Sequence, residues 1–159
     1  MKTLMILAAL LCVVSVSTAA QDDKPLVEKV VNKNSEGVVV ETYTTVDGKR
    51  EGEYRAFHSD GSKRAVGSYK LDLAEGKWLY YFANGNPEQV CSYDKGNFQG
   101  GAIRYHENGN KACESSFEKG YAKGAWAEYH ANGQIAGSGE VSSSRHNRLE
   151  DPVRQGKWV

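Results

Sequence analysis

The chain has 159 residues, with 20 Lys and Arg against 20 Asp and Glu, and its formal net charge is zero. A balanced, interspersed charge excludes the basic footprint of a nucleic-acid binder and gives no strong pull towards an anionic membrane. Three cysteines are too few for a small scaffold stapled by disulfides.

Residues 1–20 read as a secretory signal peptide. Lys2 supplies one positive charge, Leu4 to Val14 run apolar, and Ser15 to Ala20 form a small-residue exit before the polar Gln21-Asp22-Asp23. The apolar run is well short of the roughly 20 residues that a helix needs to cross a bilayer. Cys12 lies inside that run and lacks the small neighbours of a lipid attachment site. Cleavage after Ala19 or Ala20 leaves an exported protein, periplasmic or secreted. Residues 21–27 then read as a tether.

From residue 28 onwards the chain repeats itself. Gly52, Gly76, Gly100 and Gly124 stand 24 residues apart, and nine residues beyond each stands another glycine: Gly61, Gly85, Gly109 and Gly133. Before that second glycine comes Asp60, Asn84, Asn108 or Asn132. Aromatics hold further columns: Phe57, Tyr81, Tyr105 and Tyr129, then Tyr54, Trp78 and Trp126 with Ala102 in the third place, then Tyr69, Tyr93 and Phe117 with Val141 in the fourth.

The spacing predicts two short strands and two turns per unit, strung into an all-β, elongated antiparallel meander of tandem β-hairpins. The Asp-Gly and Asn-Gly pairs predict two-residue type I′ turns. A second turn is expected at Asp94-Lys95-Gly96 and at Glu118-Lys119-Gly120. The units are 28–51 (degenerate), 52–75, 76–99, 100–123 and 124–155, followed by a stub, 156–159. Gly156-Lys157-Trp158 restates Gly76-Lys77-Trp78, but 32 residues after Gly124 instead of 24, so the last unit carries an eight-residue insertion within 142–155. Atypical end units are expected where an array must be capped.

The pattern Gly-x-Trp-x-x-Tyr-x-x-Asn-Gly with a closing glycine turn resembles the MORN repeat variant of bacterial proteins, often grouped with the YwqK-type antitoxins. Gly76–Gly85, Gly100–Gly109 and Gly124–Gly133 carry the resemblance most closely, and Ala102 departs from it. The resemblance implies a hairpin-repeat scaffold and, for its antitoxin members, neutralisation of a toxin by binding. Export fits an immunity-like or other binding protein better than an intracellular antitoxin.

No residue pattern points to catalysis. The sequence has no nucleophile elbow, no phosphate-cradling glycine loop and no paired metal-binding histidines, so the chain is expected not to be an enzyme and to need no cofactor. His58, His106 and His130 share a column, but equivalent positions two strands apart lie about 9.5 Å from each other, too far to share one zinc. Cys91 and Cys113 sit on equivalent strands with one strand between them. That is about 10 Å, beyond disulfide reach, so both are expected as free, partly buried thiols.

The expected function is interaction. The candidate surface is the aromatic column Tyr54, Trp78 and Trp126 together with His146 and Arg148 of the insertion. The expected partner is another protein. Alternatives are an envelope component that binds glycan polymer or associates with itself, and a toxin neutraliser.

Overall fold

The computed structural model describes residues 24–145. Among these residues every regular element is a strand: β1 (Val27–Lys33), β2 (Val39–Val46), β3 (Lys49–Phe57), β4 (Lys63–Lys70), β5 (Leu73–Tyr81), β6 (Pro87–Asp94), β7 (Asn97–Phe98), β8 (Gly100–Tyr105), β9 (Lys111–Glu118), β10 (Tyr121–Tyr129) and β11 (Ile135–Arg145). They form one 11-stranded antiparallel sheet in which each strand pairs with its neighbours in sequence. β7 and β8 both pair with β6 and are two parts of one repeat strand, parted at Gln99. This is the hairpin meander that the columns predict. The signal segment and most of the insertion, with His146 and Arg148, lie outside the described residues.

The glycine that opens each unit has a more particular role than admitting a turn. Gly52, Gly76, Gly100 and Gly124 have φ of 80°, 68°, 77° and 85° and sit within or at the start of a strand. Pairing slips beside three of them: between Tyr43 and Thr44 opposite Gly52, between Val66 and Ser68 opposite Gly76, and between Ala122 and Trp126 around Gly124. These are β-bulges, where a residue in the left-handed region lets the strand kink and gain twist. Glu28 stands in this column in the degenerate first unit, and β1 pairs with β2 without a slip there.

The two turn types are the reverse of the expectation. At Asp60-Gly61, Asn84-Gly85, Asn108-Gly109 and Asn132-Gly133 only the glycine has positive φ, for example 85° at Gly61. The Gly61 N–H donates to the His58 carbonyl and the His58 N–H to the Ser62 carbonyl, which is a longer turn than type I′. The acidic or amide residue is present for its oxygen. Asp60 Oδ1 accepts from Ser62 N at 2.8 Å, and Asn84, Asn108 and Asn132 accept in the same way from Asn86, Asn110 and Gln134. The turns with two successive positive φ values, as type I′ requires, are the other set: Asp47-Gly48, Leu71-Asp72, Lys95-Gly96 and Lys119-Gly120.

One further difference concerns the C-terminal unit. The sequence places an eight-residue insertion somewhere within 142–155 and expects a polar loop there. Instead β11 continues to Arg145, and Ser144 and Arg145 pair with Ala122 and Tyr121.

A single sheet has to bury one face without a second layer, and it does so by laying its own rings flat. All the buried side chains belong to one face: Thr45, Tyr54, Ala56, Ala65, Trp78, Cys91, Phe98, Ala102, Cys113 and Phe117. Gly67 makes this possible. A methyl group there would lie 2.2 Å from the Trp78 ring, so the indole rests on bare backbone. Trp78 also packs at 5.5 Å from Tyr54 and edge-on to Tyr69 at 5.1 Å and Tyr93 at 5.9 Å. Phe98 continues the chain of rings to Tyr93 at 4.8 Å and Phe117 at 5.0 Å.

Candidate interaction face

Strand alternation gives the sheet two faces with different chemistry. The first is the closed face just described. At its N-terminal side Tyr54 Oη donates to Glu41 Oε2 at 2.8 Å, and Asn32 donates to Glu41 Oε1 at 2.6 Å. These bonds to the ionised form hold the Glu41 carboxyl below its usual range, the Asn32 bond acting most strongly. Burial first, then the Glu41 bond, raises the Tyr54 hydroxyl well above its ordinary value.

Of the three aromatics expected to form a binding surface, Tyr54 is 9% exposed and Trp78 3%. Both belong to the core, and only Trp126 stays half-buried. The reason is the small-residue column Gly67, Cys91, Ser115 and Gly139, which gives these rings a floor to lie on. Composition alone shows a tryptophan column; it does not show that the neighbouring column makes room for it.

The second face is more open. Arg55, Val66, Leu79, Val90, Ile103, Glu114 and Ala127 succeed one another across it, with the aliphatic members half-buried. The ladder Phe57, Tyr81, Tyr105 and Tyr129 is half-buried throughout. Phe57, Val66 and Tyr81 share one shallow hollow with Glu53, Arg55 and Lys63. At the other end of the ladder Tyr129 Oη donates to Glu114 Oε1 at 2.6 Å, while Lys111 pairs with Glu114 at 2.7 Å. The Lys111 bond and then the Tyr129 bond keep the Glu114 carboxyl low.

The histidine column has a structural role. His58 Nε2 lies 2.9 Å from the Tyr81 carbonyl and His106 Nε2 2.8 Å from the Tyr129 carbonyl, so in each case the ring N–H donates to the next unit. Where Phe82 replaces histidine, Asn84 and Asn86 make the link instead, both donating to the Glu107 carbonyl. Asn108 and Asn110 do the same to Ala131.

On the opposite edge Glu51, Glu75 and Gln99, each just before its unit's bulge glycine, accept a backbone N–H from Leu71, Lys95 and Lys119. These inter-unit pins were visible in the sequence as columns 24 apart, but nothing in a column says that its members reach across.

Cys91 and Cys113 are free and buried, on β6 and β9 with β8 between them. Burial raises both thiols above their ordinary range. Among the described residues no group of three or more His, Cys, Asp or Glu is placed to hold a metal ion, and no helix is long and apolar enough to cross a membrane.

A repeating hairpin with bulge glycines and turn amides at fixed spacing defines a class, the β-hairpin repeat protein. Residues 74–95 match the family described as MORN repeat variant. No curated protein matches the chain. MORN repeats are generally involved in protein or membrane-lipid interactions and are typically non-catalytic.

Proposed function

We propose that the mature chain, residues 21–159, is an exported, non-catalytic interaction module that binds another protein through the second face of its sheet. The observation that carries the reading is the asymmetry of the sheet. One face is closed by interlocked rings, while the other presents Val66, Leu79, Val90 and Ile103 beside a ladder of tyrosines, all half-buried, with no second layer among the described residues. A strip of aliphatic side chains flanked by tyrosine hydroxyls, Arg55 and Glu114 offers an apolar centre with a polar rim, which suits a protein partner. The zero net charge favours protein over anionic lipid.

The test is capture of tagged residues 21–159 from the envelope fraction of the host, alongside the double variant Leu79→Lys, Ile103→Lys. A stoichiometric protein partner that the folded double variant loses supports the reading. Recovery of the bait alone overturns it. So does a partner held equally by the variant, or binding only to envelope glycan or anionic vesicles.

A further inference from the structure

The central row of the second face is complementary to itself, and we infer that this face, taken above as the binding face, docks on the same face of a second copy of the chain. Its charges, its rings and its rim all fit that one occupant.

The charges are placed symmetrically. Arg55 on β3, Val66 on β4, Leu79 on β5, Val90 on β6, Ile103 on β8 and Glu114 on β9 are paired each with the next across the sheet. The row runs on through Thr42 to Val31 on β1, and through Ala127 to Ser138 on β11. Arg55 and Glu114 are its only charged members, each third from an end. A two-fold axis parallel to the strands, lying between β5 and β6, therefore sets Arg55 of each copy over Glu114 of the other. The same axis sets Val66 over Ile103 and Leu79 over Val90, so that apolar meets apolar. Such a contact uses one patch twice and closes at two copies.

The rings obey the same axis. Phe57, Tyr81, Tyr105 and Tyr129 stand on β3, β5, β8 and β10, every second strand of the sheet. The two-fold carries the rings of the copy to the strands in between. Tyr81 of the copy comes to lie over Pro87 on β6, and its Tyr105 over Lys63 on β4. The two ladders interdigitate instead of colliding. Both sheets twist with the same hand, so they nest as stacked sheets do.

The rim keeps its charges paired. Glu53 lies 2.8 Å from Arg55 and Lys111 lies 2.7 Å from Glu114, both pairs exposed. Docking brings the two pairs into one neutral cluster at each end, and no bare charge is buried. Lys77, two residues from Leu79, meets its own copy near the axis, but it is exposed and its stem carries the ammonium outwards. From β3 to β9 the patch spans about 24 Å, with about 14 Å along the strands. That is below the roughly 800 Å² a side of a standard interface, so the dimer is weak and dissociates on dilution.

The experiment is sedimentation velocity of residues 21–159 from micromolar to near-millimolar concentration, where a monomer–dimer equilibrium is expected. Arg55→Glu and Glu114→Arg, each checked for an unchanged unfolding midpoint, should weaken the dimer about tenfold or more, because like charges then face each other at both ends. An equimolar mixture of these two variants should dimerise again, since each supplies the charge that the other lacks. Leu79→Lys should also leave a monomer, while Val27→Lys on the β1 edge should leave the equilibrium unchanged. A monomer at every concentration overturns the inference; the face then stays open to a different protein, which the envelope capture decides separately. A dimer that both charge variants retain, that their mixture fails to restore, or that Val27→Lys abolishes overturns it too, as does growth into larger species.

Discussion

The units at 52–99 and those at 100–141 solve the same adhesion problem in different places. In the earlier pair the contact is on the face: Tyr54, Trp78, Tyr69 and Tyr93 interlock, and two pins, His58 to Tyr81 and Lys95 N–H to Glu75, cross between the units. In the later pair Ala102 stands where Tyr54 and Trp78 stood, and Ala122 where Phe98 stood. Two pins, from Asn84 and Asn86, lead into this pair, and within it three come from His106, Asn108 and Asn110 beside that of Lys119 N–H to Gln99 at its edge. In a repeat array each unit needs enough nearest-neighbour attachment to stay ordered. It does not need that attachment in the same column each time. The asparagine pins are exposed and the histidine pins only part-buried, so each is worth less than a buried ring.

That ranking can be broken by substitution. Trp78→Ala should have the largest effect, a loss of about 3–5 kcal/mol in urea unfolding. Trp126→Ala, half-buried and set among alanine, serine and glycine, should cost roughly half as much. Equal losses would show that the two halves are not differently built.

Next comes the floor beneath the ring. Gly67→Ala should cost about 1–3 kcal/mol through overpacking against Trp78, and a double-mutant cycle with Trp78→Ala should show that the two costs do not add. Gly139→Ala, whose methyl would meet Trp126 at 3.1 Å, should cost less. The pins rank below these. The double variant Asn108→Ala, Asn110→Ala should lose about 1–2 kcal/mol, measured by the same unfolding curves.

Two smaller effects sharpen the picture at the N-terminal side. Leu71 is 61% exposed and has φ of 51°. Leu71→Gly should therefore raise stability by up to about 1 kcal/mol, because the left-handed turn no longer strains a branched side chain.

Glu41 should make the array sensitive to acid. Its folded carboxyl is held low, so its contribution is present above the ordinary glutamate range and is lost as pH falls through the lower, folded value. Glu41→Gln should therefore be less stable than the unsubstituted chain at neutral pH, and the difference should vanish as the medium is acidified.

Much of this was readable in advance, and the unread part has a common cause. Column spacing set the repeat, the strand count of each unit and the separation of the two cysteines, because a fixed period ties sequence position to strand position. Their odd spacing in the strand also puts the columns of Trp78 and Tyr81 on opposite faces. The turn types are not separable in the sequence, because Asn84-Gly85 and Lys95-Gly96 each contain a residue and a glycine suited to a tight turn. What separates them is whether the first residue is needed for its backbone angle or for its side-chain oxygen. The burial of Tyr54 and Trp78 is hidden from the sequence for a similar reason. A ring column shows how much apolar surface there is, while Gly67 and Cys91 decide whether that surface can lie down. The spacing of His58 and His106 shows only that they cannot share one metal ion, and their reach to the next unit follows only from how the hairpins stack.

The central claim is that this single sheet has one closed face and one open face. Pulsed hydroxyl-radical footprinting of residues 21–159, read residue by residue by mass spectrometry, tests it most directly. The expected result is that Trp78, despite its greater intrinsic reactivity, is labelled several-fold more slowly than Tyr81 and Tyr105, and that unfolding in urea removes the difference. Labelling of Trp78 in the folded protein at the rate of Tyr105 or faster would contradict the claim.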